Sequence, residues 1–189
     1  MKLLGKTTLI ISIIIVLRAS VWGAPSDFFN RSRGDEEWGL SFGVGQNYRI
    51  PEDTDVPFME FNLFNIEYEK FLSPRTSIEY ELSLADQVNI GDNKMLSISA
   101  NYTRYFLVHG RISANYKIGL GVMRLQDKVP GQATTTNFNE QAGLGLEYAT
   151  GSNGAITFEA TFYHASNANF QHPNHGINAT FVKLGYCWH

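Results

Sequence analysis

A chain of 189 residues with 18 acidic and 15 basic side chains carries a net charge of −3, which excludes an extended nucleic-acid surface, because that needs clustered positive charge. The single cysteine, Cys187, excludes an internal disulfide, so an exported protein of this size must be held by a core or by closure of a sheet. Beyond the N-terminus no apolar run is long enough for a transmembrane helix; the slightly negative mean hydropathy leaves a barrel open, since only every second barrel residue meets lipid.

The N-terminal segment reads as an export signal. Lys2 and Lys6 form a basic start, Leu9 to Leu17 is apolar apart from Ser12, and small residues follow at Gly23 and Ala24. This predicts a signal peptide over residues 1–23 and one domain over 24–189. Loss of Lys2, Lys6 and Arg18 with the signal takes the charge from −3 to −6. Residues 25–37, with Arg31, Arg33 and Asp35-Glu36-Glu37, read as a polar lead-in.

From there the pattern has period two. Thr76, Ile78, Tyr80, Leu82 and Leu84 alternate with Ser77, Glu79, Glu81 and Ser83, and similar runs surround Tyr116 and Leu144. Such alternation marks half-buried strands. Eight are predicted, over 38–48, 57–71, 75–86, 94–108, 110–124, 137–150, 154–166 and 177–188. In the second strand the apolar parity shifts between Leu63 and Phe64, which suggests a bulge or an overrun into loop.

Links after strands two, four and six are tight (Ser73-Pro74, His109-Gly110, Gly151 to Gly154), whereas the others are longer and polar. Short turns on one rim and long loops on the other predict an all-β, eight-stranded antiparallel transmembrane up-and-down β-barrel of the bacterial outer membrane. The closing alternation Thr180, Val182, Leu184, Tyr186, Trp188 supports it. A lipocalin-like soluble barrel would instead place the apolar face inside. In the membrane reading Glu79, Glu81, Lys117, Glu147, Glu159 and Lys183 face the lumen and pack as a polar plug rather than a pore, and Cys187 is a small buried lumen side chain.

Strand parity also places three polar residues on lipid. The apolar series of strand seven continues to His164 and Ser166, and that of strand eight extends back to Asn178. Polar groups on a membrane face are costly and are functional candidates. Side chains two apart on a strand share a face, so an imidazole can take the proton of a serine hydroxyl at i+2. Asn167 follows and can donate to a developing oxyanion. Taken alone, His-x-Ser also fits an interfacial polar girdle. His164, His172 and His175 match no standard metal spacing, so neither metal nor cofactor is expected, and the acidic Glu52-Asp53 and Asp55 read as a solvated loop.

The run His164-Ala165-Ser166-Asn167-Ala168 followed by Pro173-Asn174-His175-Gly176-Ile177-Asn178 resembles the PagL family of lipid A 3-O-deacylases. That resemblance implies an eight-stranded barrel with a Ser-His-Glu triad on its lipid-facing surface, acting on lipopolysaccharide in the outer leaflet. It makes Ser166 the nucleophile, His164 the base and Asn167 the oxyanion residue. Where the family has the glutamate that orients histidine, this chain has Asn178, whose carbonyl can set the tautomer but supplies no charge. Glu140, with lipid-face parity on strand six, is the candidate substitute acid. The expected function is therefore a serine esterase that removes the 3-O-linked hydroxyacyl chain. A non-catalytic barrel binding lipid or partners through its loops is the alternative, and a homo-oligomer is compatible with either.

Overall fold

The computed structural model describes residues 27–48, 56–89 and 93–189. The expected signal peptide and the Glu52-Asp53 and Asp55 acids lie outside the described residues. After a short 3-10 turn (Asp27–Phe29) come eight strands: β1 (Glu36–Asn47), β2 (Glu60–Ser73), β3 (Thr76–Gln87), β4 (Lys94–His109), β5 (Ile112–Leu125), β6 (Thr136–Ala149), β7 (Gly154–Ser166) and β8 (Ile177–Trp188). Each pairs antiparallel with its sequence neighbours, and β1 pairs with β8, from Trp38 opposite Trp188 to Asn47 opposite Ala179, to close the barrel.

The outer wall is apolar. Phe42, Val44, Ile98, Ile118, Leu120, Leu144 and Leu184 are exposed there, as lipid contact requires. Trp38, Tyr68, Tyr80, Tyr102, Tyr116, Tyr186 and Trp188 lie towards the short-turn end, the position of an interfacial aromatic girdle. Trp38 and Tyr68 stand 4.9 Å apart, and Tyr186 stacks on Trp188 at 6.3 Å.

The lumen is filled in three tiers. In the middle, Glu159 joins both buried lysines, at 2.5 Å from Lys117 and 2.6 Å from Lys183. Lys117 also meets Glu79 at 2.8 Å and Lys183 meets Glu81 at 2.7 Å. All five side chains are buried, so each charge depends on its partners for the solvation it has lost. This is the polar plug the alternation predicts. Cys187 is buried nearer the short-turn mouth, among Phe28, Phe29, Ala149 and Ala155.

The tier nearest the long loops is apolar, and here the sequence reading needs correction. Phe61, Leu63, Met95, Met123, Tyr163 and Phe181 form one buried cluster with Val56 and Val129 from the loops. The parity change at Leu63–Phe64 is therefore no bulge: β2 pairs with β1 and β3 without a break there, and the irregularity lies at Phe71/Ser73. Apolar residues occupy opposite faces of β2 because its two ends meet different surroundings. Leu63 looks into an apolar cap and Phe64 looks towards lipid.

The third tier corrects the polar lead-in. Arg31 is buried inside the short-turn mouth, gripping Glu37 through two hydrogen bonds of 2.7 and 2.9 Å and Glu147 through one of 2.9 Å. Its guanidinium lies over the rings of Tyr105, Phe71, Phe29 and Phe28 at 4.3 to 5.5 Å. Arg31 and Glu37 thus belong to a plug, whereas Arg33 and Glu36 of the same segment stay exposed. Arg31→Met should lower the unfolding free energy by about 3–5 kcal/mol, because two buried carboxylates lose their partner. A urea titration in detergent would show it, and adding Glu37→Gln and Glu147→Gln should recover much of the loss.

Candidate active site on the outer wall

The register that closes the barrel aligns a row of side chains near the rim. His164 of β7 lies opposite Glu140 of β6 on one side and Asn178 of β8 on the other. Register partners share a face, so these three stand side by side on the outer wall. Ser166, two residues further along β7, is opposite Phe138, which is in turn opposite Val122 of β5. The two rows place His164 one side-chain step deeper in the wall than Ser166.

Within the first row one contact is made. His164 Nδ1 and Asn178 Oδ1 are 2.8 Å apart. A carbonyl oxygen accepts, so the imidazole proton sits on Nδ1 and the lone pair on Nε2. Asn178 is itself buried, and its backbone carbonyl accepts from Tyr48 N–H at 2.9 Å, which ties β8 to the end of β1. Glu140 is exposed beside His164 without a hydrogen bond to it among the described residues. Ser166 Oγ likewise makes no hydrogen bond among the described residues. Catalytic hydrogen bonds often tighten only once substrate is bound.

The loop between β7 and β8 is shaped around this row. Ala168 and Asn169 have φ of 53° and 62°, and Phe170 N–H donates to Asn167 O at 3.1 Å, which turns the chain sharply after Ser166. At its far end Gly176 has φ of 76°, and a Cβ there would lie 2.8 Å from His164 Cε1. Glycine lets the returning chain press on the imidazole. Asn167 is buried in the turn, where its N–H donates to Asn174 Oδ1 and its Nδ2 to Gln171 O, both at 2.9 Å.

Asn174 was assigned no role from the sequence, yet it organises the loop. Besides accepting from Asn167, it donates to Asn169 Oδ1 at 3.0 Å and bridges to Gln132 in the β5–β6 loop. Two more backbone hydrogen bonds, Ala133 N–H to Pro173 O and His175 N–H to Gly131 O, clasp the two loops together. Its place in the Pro173 to Asn178 run was the available signal. Phe138 beside Ser166 meets the exposed Phe170 in a tilted ring contact at 6.3 Å, which gives the serine an aromatic flank. Among the described residues no three His, Cys, Asp or Glu side chains converge as a metal site would require.

Comparison with known proteins follows the same lines. The model of the lipid A 3-O-deacylase (PagL) family matches residues 66–187. The neisserial surface protein A crystal structure has a TM-score of 0.65 at 10% identity, covering 81% of this chain and 96% of that one. For the outer membrane enzyme PagL the TM-score is 0.59 at 18% identity, covering 78% and 97%. The attachment invasion locus protein Ail of Yersinia pestis gives 0.52 at 10% identity, covering 82% and 98%. At these identities the structural likeness is one of fold. No curated protein matches the chain. The family match covers well over half of the sequence and takes in both strands of the His164–Asn178 contact: the chain belongs to the lipid A 3-O-deacylase (PagL) family and is a barrel of the bacterial outer membrane.

Proposed function

We propose that the protein is a serine esterase that removes the 3-O-linked hydroxyacyl chain of lipid A from the outer leaflet, with Ser166 as nucleophile and His164 as base. The observation that carries this reading is the hydrogen bond between His164 and Asn178, which leaves Nε2 free to accept a proton on the face that Ser166 shares. Family membership supplies the substrate class. The membrane presents the ester to the site, so no cavity inside the barrel is needed.

Ser166 Oγ attacks the ester carbonyl carbon while its proton passes to His164 Nε2. The carbonyl oxygen becomes an oxyanion, for which Asn167 is the assigned donor; its amide carries a second Nδ2 hydrogen beyond the one given to Gln171 O. Collapse breaks the bond to the sugar oxygen, which leaves with the proton from Nε2. Water, deprotonated by the same nitrogen, then attacks the acyl-serine and releases the hydroxy fatty acid.

The imidazolium formed in each step has two neighbours with separate duties. Asn178 holds the ring through Nδ1–H but carries no charge. Glu140, opposite His164 on the other side, supplies negative charge through space. Cross-strand Cβ atoms stand about 4.5–5.5 Å apart, close enough for its carboxylate to face the ring without a hydrogen bond. The family glutamate's two roles are thereby divided between two strands.

Incubation of the purified barrel with lipopolysaccharide in detergent, followed by mass spectrometry of lipid A, tests the reading. Loss of one hydroxyacyl chain is expected, and Ser166→Ala should reduce the rate by a factor on the order of 10⁴ or more. Unchanged lipid A with folded wild-type protein would favour the non-catalytic barrel. Glu140→Gln should slow turnover about tenfold, and Asn178→Glu should raise it about as much by restoring a charged hydrogen-bond partner. Independently of activity, ¹⁵N spectra above the imidazole pKa should show Nδ1 of His164 protonated and Nε2 bare, and Asn178→Leu should abolish that preference.

A further inference from the structure

We infer that Arg124, assisted by Lys94, is a phosphate-binding subsite for the headgroup of the glycolipid whose ester reaches Ser166. The inference rests on the proposed esterase and names how it would hold its substrate. Arg124 is exposed on the outer face of β5, one side-chain step beyond Val122 towards the long-loop rim. Val122, Phe138 and Ser166 form one row across β5, β6 and β7. Two strand spacings and one side-chain step separate the backbones of Arg124 and Ser166 by about 12 Å. A side chain as long as arginine spans much of that gap, and the exposed Phe138 ring on the strand between offers an apolar face against which a sugar could lie.

The vertical order suits an amphiphile. Phe162, Leu144 and Leu120, deeper in the wall, are exposed and apolar, and Arg124 lies on the rim side of the serine row. An acyl chain entering from the membrane would lie against the former and its headgroup would face the latter. Arg124 is opposite Leu96 on β4 and Thr136 on β6, neither of which can neutralise it. It makes no ion pair among the described residues. Lys94 is on the same outer face of β4, two residues from Leu96, and thus diagonal to Arg124.

Three acids share this part of the outer surface: Glu140, one side-chain step deeper than the serine row, and Asp86 and Asp127. Asp86 is opposite Lys94 on β3 without an ion pair, and Asp127 is exposed in the loop beyond β5. Both lie on the side away from Ser166, so they weaken Lys94 more than Arg124. Guanidinium is suited to the position, because it binds phosphate through two parallel hydrogen bonds and keeps its charge at a membrane interface.

The test compares bisphosphorylated lipid A with enzymatically dephosphorylated lipid A in mixed micelles. Wild-type protein should have a KM about tenfold lower for the phosphorylated lipid, matching one charge-assisted hydrogen-bonded contact, and R124Q should erase that discrimination. R124K should retain part of it, and K94Q should reduce it less than R124Q. Inorganic phosphate at high concentration should compete with the phosphorylated substrate only. Equal KM values for the two lipids in wild type, or discrimination that survives in R124Q, would overturn the inference while leaving the esterase standing. If wild type hydrolyses neither lipid, the esterase reading fails. The subsite is then read from binding of the same two lipids to the Ser166→Ala protein: a preference lost on adding R124Q supports it, and equal binding refutes it.

Discussion

Hydrocarbon offers the backbone nothing to hydrogen-bond with, so a strand can cross a membrane only when both its edges are paired. The union of β1 with β8 meets that condition, and most of the structure is its consequence. Closure at eight strands leaves an interior wide enough only for side chains. The alternation of each strand then sends half of its residues inward, where polar ones must find partners. The chain Glu79–Lys117–Glu159–Lys183–Glu81 is how they do so. With the described lumen filled by these side chains, the polar row of Glu140, His164 and Asn178 stands on the outer wall.

On that wall, register replaces the pocket. His164 meets Glu140 and Asn178 because antiparallel pairing at both of its edges leaves no other neighbours in the row. A site built on strands is positioned as rigidly as the sheet itself. Only the loop that follows Ser166 requires separate support, which comes from Asn174, Gly176 and the clasp to the β5–β6 loop. In the proposed reaction this arrangement would suit a substrate held in the membrane, reaching the polar row from the side.

The strands, their order and the lumen plug were legible because period two follows directly from geometry and because buried charge is rare enough to be informative. His164, Ser166 and Asn178 fell on one face by the same counting. What escaped depended on variation along the barrel axis, which alternation does not encode. Leu63 and Phe64 looked like a parity fault, since the lumen changes from apolar to polar within one strand. Arg31 read only as part of a polar lead-in, because its partners Glu37, Glu147 and Tyr105 come together only when the sheet closes. Asn174 escaped for a related reason. Its contacts cross between two loops, and sequence spacing within one loop does not register them.

The first described residues and the C-terminus meet at the short-turn mouth, where His189 packs against Phe28 at 4.5 Å and Trp188 lies opposite Trp38. The first strand therefore has no finished edge until the last has been made. A partly synthesised chain holds an open sheet whose borders would be unpaired in the bilayer, and that species has no stable place there. Closure thus joins residues that are far apart in the sequence, from Trp38 with Trp188 to Asn47 with Ala179. Phe28, Phe29 and Arg31 lie inside that mouth, where Arg31 joins Glu37 of β1 to Glu147 of β6 and so ties together strands far apart in the sequence.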